Sequence, residues 1–241
     1  MGSGPARRRL PGLRDQPQAG RALQGAIRHT SGPCFGPSGP TAHRRFTEWS
    51  KARVWAKLHR VVLDELGSRG ELDWSRCAVD SVNMRALKRG SLTGPNPVDR
   101  GKYGSKIHLL TERAGLPLSL AVSGANVHDS QALIPLTDAI PPIRSRHGPR
   151  RRRPAKLRGD KAYDHRFIRS YLRRRQITAR IARRGIDSSA RLGRHRWAIE
   201  RTVAWLGGFR RLHRCYERKG DHFAAFASTA AAVSCFRRLT K

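Results

Sequence analysis

The stretch RCAVDSVNMRALKRGSLTGPNPVDRGKYGSKIHLLTERAGLPLSLAVSG, residues 76–124, is the part of the chain whose reading decides the fold. Its first segment, RCAVDSVNMRA, is short, β-prone and carries Asp80. Glycines and prolines punctuate the next eighteen residues, 87–104, which reads as loop. SKIHLLTERAGLPLSLAVSG then reads as two strands joined by a turn at Arg113–Ala114–Gly115. Downstream the character changes. DSQALIPLTDAI suits a helix with Asp129 near its N-cap, and PPIRSRHGPRRRRP is a basic loop. AKLRGDKAYD reads as a short strand and turn, HRFIRSYLRRR as a helix capped by Asp164, and QITARIAR as another strand. A helix around Glu200 and an Ala-rich C-terminal helix complete the chain. Strands first, then alternating α and β elements, predict an α/β domain with a mixed sheet.

Upstream, residues 1–45 are rich in Gly, Pro, Arg and Ala without helical or strand period, and read as a segment of low order. From Phe46 the apolar residues Trp49, Val54, Trp55, Leu58, Val61, Val62 and Leu66 recur at three- and four-residue spacing. That predicts one amphipathic helix ending near Gly67 or Gly70. The expected organisation is therefore 1–45 of low order, 46–75 helical, and 76–241 the α/β domain.

Fifty Lys and Arg against 17 Asp and Glu give a net charge of +33, spread over most of the 241 residues. Self-repulsion on this scale opposes compaction, and a phosphate polymer is the natural counterweight. Nucleic acid is the expected partner. The four cysteines form no CxxC pair, which predicts neither a disulfide scaffold nor a zinc site. The apolar run FAAFASTAAAVSCF, 223–236, is too short to span a bilayer, and residues 1–32 lack the apolar segment of a secretory signal. A cytosolic protein with no membrane partner is expected.

With so few acids, their positions carry information. Asp80 follows Ala78–Val79 on one strand, Asp160 follows AKLRG on another, and Glu200 is the single acid among seven arginines in RLGRHRWAIERTVAWLGGFRRLHR, 191–214. Open α/β sheets bind ligands where strands end, so acids distant in sequence can converge there. Converging carboxylates repel unless a cation joins them. Two Mg²⁺ ions about 3.5–4 Å apart would resolve that repulsion and could activate a phosphodiester for attack. On a helical wheel Ile199, Val203 and Leu206 form an apolar stripe beside Ala198, Thr202, Trp205 and Phe209, with Glu200 off its edge next to Arg196, Ala204 and Gly207. Glu200 could equally pair locally with Arg196. His128–Asp129 reads as cap and loop, Trp197 and Trp205 as mostly core, and GPRRRRP as a phosphate-contacting loop.

VDSVNMRALKRGSLTGPNPVDRGKYGSKIHLL, LRGDKAYD and HRWAIERTVAWLGGFRRLHRCYER closely resemble bacterial insertion-sequence transposases of the DDE type, over roughly Gly36 to Arg238. The resemblance implies an RNase H-like mixed sheet flanked by helices, with a short, truncated N-terminal helical region. It implies that Asp80, Asp160 and Glu200 are the catalytic acids and hold divalent metal: two Mg²⁺ ions, with Mn²⁺ as a substitute. These would cleave DNA at the element's ends and promote attack by the liberated 3′-hydroxyl on target DNA. The expected partners are terminal inverted repeats, target DNA and further copies of the chain assembled on DNA, in the bacterial cytosol at the nucleoid. Lys102, Lys106, Lys161, Arg196 and Arg201 are the expected DNA contacts. Around the third acid, Arg196 and Glu200 fit the family's Tyr-x2-Arg-x3-Glu-x6-Lys signature, while Gly193 and Gly207 stand where tyrosine and lysine are usual. The alternative expectation is a truncated, inactive remnant that only binds DNA.

Overall fold

The computed structural model describes residues 36–183, 185–186 and 199–240. The chain divides into two compact units, Met1–Glu48 and Trp49–Lys241. Helix α1 (Gly39–Lys51) begins earlier than the apolar period predicts. What reads as one helix is two, because Arg53 takes a left-handed conformation (φ 55°) between α1 and α2 (Val54–Ser68).

The second unit is built on a mixed sheet. Strand β1 (Cys77–Ala86) lies at its centre. On one side it pairs antiparallel with β3 (Tyr103–Glu112), which pairs antiparallel with β4 (Pro117–Gly124) and with the two-residue β2 (Gly94–Pro95). On the other side β1 pairs in parallel with β5 (Lys156–Gly159), and β5 with β6 (Thr178–Ile181). Further along β1, β7 (Arg214–Cys215) pairs in parallel at Arg85 and Ala86. The chain thus builds one half of the sheet from the antiparallel β1, β3 and β4, then crosses to the other side of β1 for β5 and β6. This is the RNase H-like mixed sheet, and helices cover both of its faces.

Strand alternation sorts the core into two layers. Cys77, Val79, Leu110 and Leu118 face one layer with Leu63 and Leu66 of α2, Leu133 and Leu136 of α3 (Asp129–Asp138), and Ile168 and Leu172 of α4 (Arg166–Arg174). Val82, Met84, Ile107 and Leu109 face the other, against Leu206 of helix α5 (described over 199–207) and Phe223, Ala227 and Ala230 of α6 (Gly220–Leu239). The Ala-rich sequence of α6 keeps its surface low, so that it packs closely along α2.

Gly67 sets the approach of α2 to the loop after α3. A Cβ there would lie 2.1 Å from the Arg144 carbonyl oxygen and 2.8 Å from Ile143 Cγ2. Backbone cannot yield as a side-chain tip would. Gly67→Ala is therefore expected to destabilise the fold by about 2–3 kcal/mol, read as a lowered thermal midpoint.

The cap reading of His128–Asp129 holds: His128 is the N-cap of α3, its Nδ1 accepting from the Ser130 N–H, with Asp129 one residue inside. Other local expectations are corrected. Asp164 does not cap α4, whose N-cap position is His165; Asp164 instead pairs with Arg169 at 2.8 Å. The arginines of the loop after α3 are ties to the body rather than a phosphate comb. Arg150 donates to Asp64 and the Pro142 carbonyl, Arg152 to the Ile140 and Asp138 carbonyls, and Arg151 stacks over Trp74. Each carbonyl so bound lacks a partner in regular structure, which is why a guanidinium's several donors suit the loop.

Candidate active site

The pairing of β1 with β5 matches Cys77 with Leu157 and Ala78 with Arg158, then stops. Continuing that register by two residues sets Asp80 opposite Asp160. Parallel neighbours lie about 4.8 Å apart, and residues two along from a pair share its face. Asp160 keeps extended backbone (φ −78°, ψ −175°) before a 3₁₀ turn, Lys161–Tyr163. That register, so extended, assigns both acids to the carboxyl end of β5, where the sheet splits. Ligands of open α/β sheets sit at such a switch point.

The split also explains how each carboxylate is held. Past Ala78 the β5 edge no longer supplies ladder partners. The Ser81 N–H donates to Asp80 Oδ1 at 2.8 Å, and the Ala162 N–H donates to Asp160 Oδ1 at 2.8 Å. A backbone amide fixes one oxygen of each acid.

Glu200 is exposed on α5, whose Leu206 and Val203 pack on the sheet face shared by Asp80, Val82 and Met84. The helix is pinned at the β3–β4 turn: Thr202 Oγ1 donates to the Gly115 carbonyl and Arg201 to the Ala114 carbonyl. Glu200 is therefore on the same face as the aspartates. Among the described residues, however, no three His, Cys, Asp or Glu side chains stand close enough together to hold one metal ion. The extended β1–β5 register sets Asp80 and Asp160 at corresponding positions, and among the described residues Glu200 forms no ligand cluster with them.

Of the expected DNA contacts, Lys102 is exposed in the turn before β3, and Lys161 is half-buried immediately after Asp160. Arg201 is half-buried, with its guanidinium 4.9 Å above the Trp205 ring. Trp205, expected in the core, is 36% exposed. Lys106 corrects the sequence reading outright. It is 7% exposed, and its Nζ donates to the Val127 carbonyl and to Asp129 Oδ1, both at 2.8 Å. An amine spent on two internal acceptors does not reach a phosphate. Arg196, Gly193 and Trp197 lie outside the described residues.

Two neighbours of the site escaped the sequence reading. Tyr163 is buried, and its hydroxyl has no hydrogen-bond partner. Its pKa is pushed up, first by burial and then by the negative charges of Asp129, Asp80 and Asp160. Three carboxylates therefore converge electrostatically on one phenol. Asp129 is the other. The signal for it was Lys106, a cation in the middle of the otherwise inward-facing SKIHLL, which had to find an acid. The donor set suits a hard divalent cation: carboxylate oxygens, whose charges act together on the Tyr163 phenol. Mg²⁺ commonly takes one or two protein carboxylates and completes its shell with water and substrate oxygens. A cleft of about 680 Å³ elsewhere, between α2, β4 and α6, is lined by none of the three acids.

Residues 74–236 match the transposase DDE domain family. A putative transposase for insertion sequence element IS402 of Burkholderia cepacia is 44% identical over 149 residues, covering 62% of this chain and 71% of that protein. An uncharacterised 16.2 kDa protein of the same element is 42% identical over 60 residues, 25% of this chain and 41% of its own length. Among solved structures, a pre-cleavage Mos1 transpososome aligns with 98% of this chain and 82% of its own at 11% identity, with a TM-score of 0.32. The catalytic domain of Mos1 mariner transposase aligns with 76% and 91% at 8% identity, with a TM-score of 0.29. Scores this low bear no weight on the site.

Proposed function

Because the chain belongs to the transposase DDE domain family, we propose that it moves an insertion sequence by cutting DNA at the element's ends and joining them to a target, with Asp80, Asp160 and Glu200 as the acids that carry the reaction. The observation that supports this most is the parallel register of β1 with β5, which, continued by two residues, sets Asp80 opposite Asp160. Family membership implies use of a divalent metal; we assign Mg²⁺, replaceable by Mn²⁺, with two ions in the active complex. When bound, such ions activate the attacking oxygen and stabilise the leaving oxygen of a phosphodiester.

The protein's own groups supply geometry and charge. The amides of Ser81 and Ala162 hold Asp80 and Asp160 in fixed orientation, so the pair presents a preformed anionic seat. Glu200 joins from α5 once cations and DNA neutralise that seat, because the helix already lies on the correct face. We assign Lys161, next in sequence to Asp160, and the exposed Lys102 to phosphates of the bound DNA. The partners assigned are terminal inverted repeats and target DNA, with several copies of the chain assembling on them in the bacterial cytosol.

The test is incubation of the purified chain with DNA carrying the cognate ends, with Mg²⁺ or with chelator. Metal-dependent nicks at the ends and joined products are expected. Nicks without joining would reduce the assignment to a nuclease. Salt-sensitive binding without any cut would favour the alternative of a remnant that only binds DNA.

A further inference from the structure

We propose that Asp129 is a positioning residue for Asp80, acting from the opposite face of the sheet through Ser81, with Lys106 as its buried counter-ion. This rests on the reading of Asp80 as a metal-holding acid.

The connection is continuous. Ser81's backbone N–H holds Asp80 Oδ1 at 2.8 Å, while its hydroxyl donates to Asp129 Oδ1 at 2.8 Å. Lys106 Nζ donates to the same oxygen at 2.8 Å and to the Val127 carbonyl at 2.8 Å, which ties the start of α3 to β3. His108 faces the group from β3, opposite Ser81 in the register, with Nδ1 3.9 Å from Asp129 Oδ1 and Nε2 bonded to Ser123 Oγ at 2.8 Å. Asp129 thus gathers a strand residue, a helix start and a cation directly behind the first acid.

The sheet shows why such a brace is needed. Among the described strands, β1 is paired with β5 at Cys77–Ala78 and with β7 at Arg85–Ala86. Between these points only β3 holds it. Asp80 and Ser81 sit in that gap, where a strand can twist and swing its side chains. A hydroxyl clamped to a half-buried ion pair fixes the orientation of Ser81, and hence the N–H that aims Asp80. Groups that orient a metal-holding carboxylate in this way typically contribute about 10–100-fold in metal affinity or activity. A purely structural ion pair would contribute to stability alone.

The experiment uses the full chain with Mn²⁺ alone as probe, its binding followed by the electron paramagnetic resonance signal of the free ion, with thermal unfolding measured in parallel. Ser81→Ala cuts the link without stranding a charge. It is expected to weaken Mn²⁺ binding about tenfold or more while the melting temperature changes little. Lys106→Met with Asp129→Leu removes both charges and the acceptor of the Ser81 hydroxyl together and is expected to weaken Mn²⁺ binding likewise. Unchanged Mn²⁺ affinity in Ser81→Ala overturns the proposal, as does unchanged affinity in a folded double variant; should the double variant not fold, Ser81→Ala decides. Asp80→Asn separates the two layers of inference. If it loses the site while Ser81→Ala keeps it, only the positioning role fails. If Asp80→Asn itself binds Mn²⁺ like the parent chain, the reading of Asp80 fails and the proposal falls with it.

Discussion

Asp160→Asn is expected to lower metal-dependent cleavage of the element's ends by at least about a thousandfold, equivalent to about 4 kcal/mol in the barrier. The substitution is chosen for what it leaves alone. Asparagine keeps an Oδ1 that accepts the Ala162 N–H, so the 3₁₀ turn after β5 survives. What it removes is the charge that the proposed role assigns, with that of Asp80, to holding cations. The measurement is single-turnover cleavage on a gel, with a thermal melt to show that folding is intact. Cleavage within tenfold of the parent chain would remove Asp160 from the chemistry. Asp164→Asn is the matched control. That carboxylate is paired with Arg169, and such partly exposed pairs contribute about 0–1 kcal/mol. Its cleavage should stay near the parent level.

The two aspartates show where legibility in the sequence begins and ends. AKLRG and CAV read as strands from local pattern alone, and β1, β3 and β4 with their turn at Arg113–Gly115 form as that pattern predicts. That β5 lies beside β1, two residues short of Asp80, is a non-local fact that no periodicity carries. The two-residue strands β2 and β7 escape for the same reason: each is defined by its partner across the sheet. Charged residues misled more than apolar ones. Lys106, one of the chain's many cations, reads as a surface contact until register turns it toward Asp129. The loop arginines read as phosphate ligands because their acceptors, the sequence-distant Asp64 carboxylate and carbonyls that every residue has, are marked by no sequence pattern. Trp205 reads as core from its size, yet Arg201 covers one face of its ring and solvent reaches the rest.

Two buried histidines make stability steeply dependent on pH. Burial lowers the pKa of His59 to about 4 while its Nε2–H donates to the Pro117 carbonyl. Burial also lowers His108 to about 4, with the Lys106 charge adding to the effect and the Asp129 charge opposing it. Both fold neutral. Above the unfolded value near 6.5 their contribution is complete. As pH falls from about 6.5 to about 4 the unfolded chain takes up protons that the folded chain refuses, so stability is lost throughout that window. Each histidine contributes about 1.4 kcal/mol per pH unit, so the pair gives a slope of about 2.7 and a total loss on the order of 7 kcal/mol. That is comparable to the whole stability of a typical domain. Glu112 acts in the opposite sense: burial raises its pKa, so it binds a proton more readily when folded and stabilises on acidification. A difference between two chains cancels that contribution. His59→Gln keeps a donor for the Pro117 carbonyl and removes the titration. Urea unfolding between pH 5 and 6 is expected to show its slope against pH reduced by about 1.4 kcal/mol per unit relative to the parent chain. Parallel slopes would mean that His59 is protonated in the folded state and that its burial costs nothing in this range.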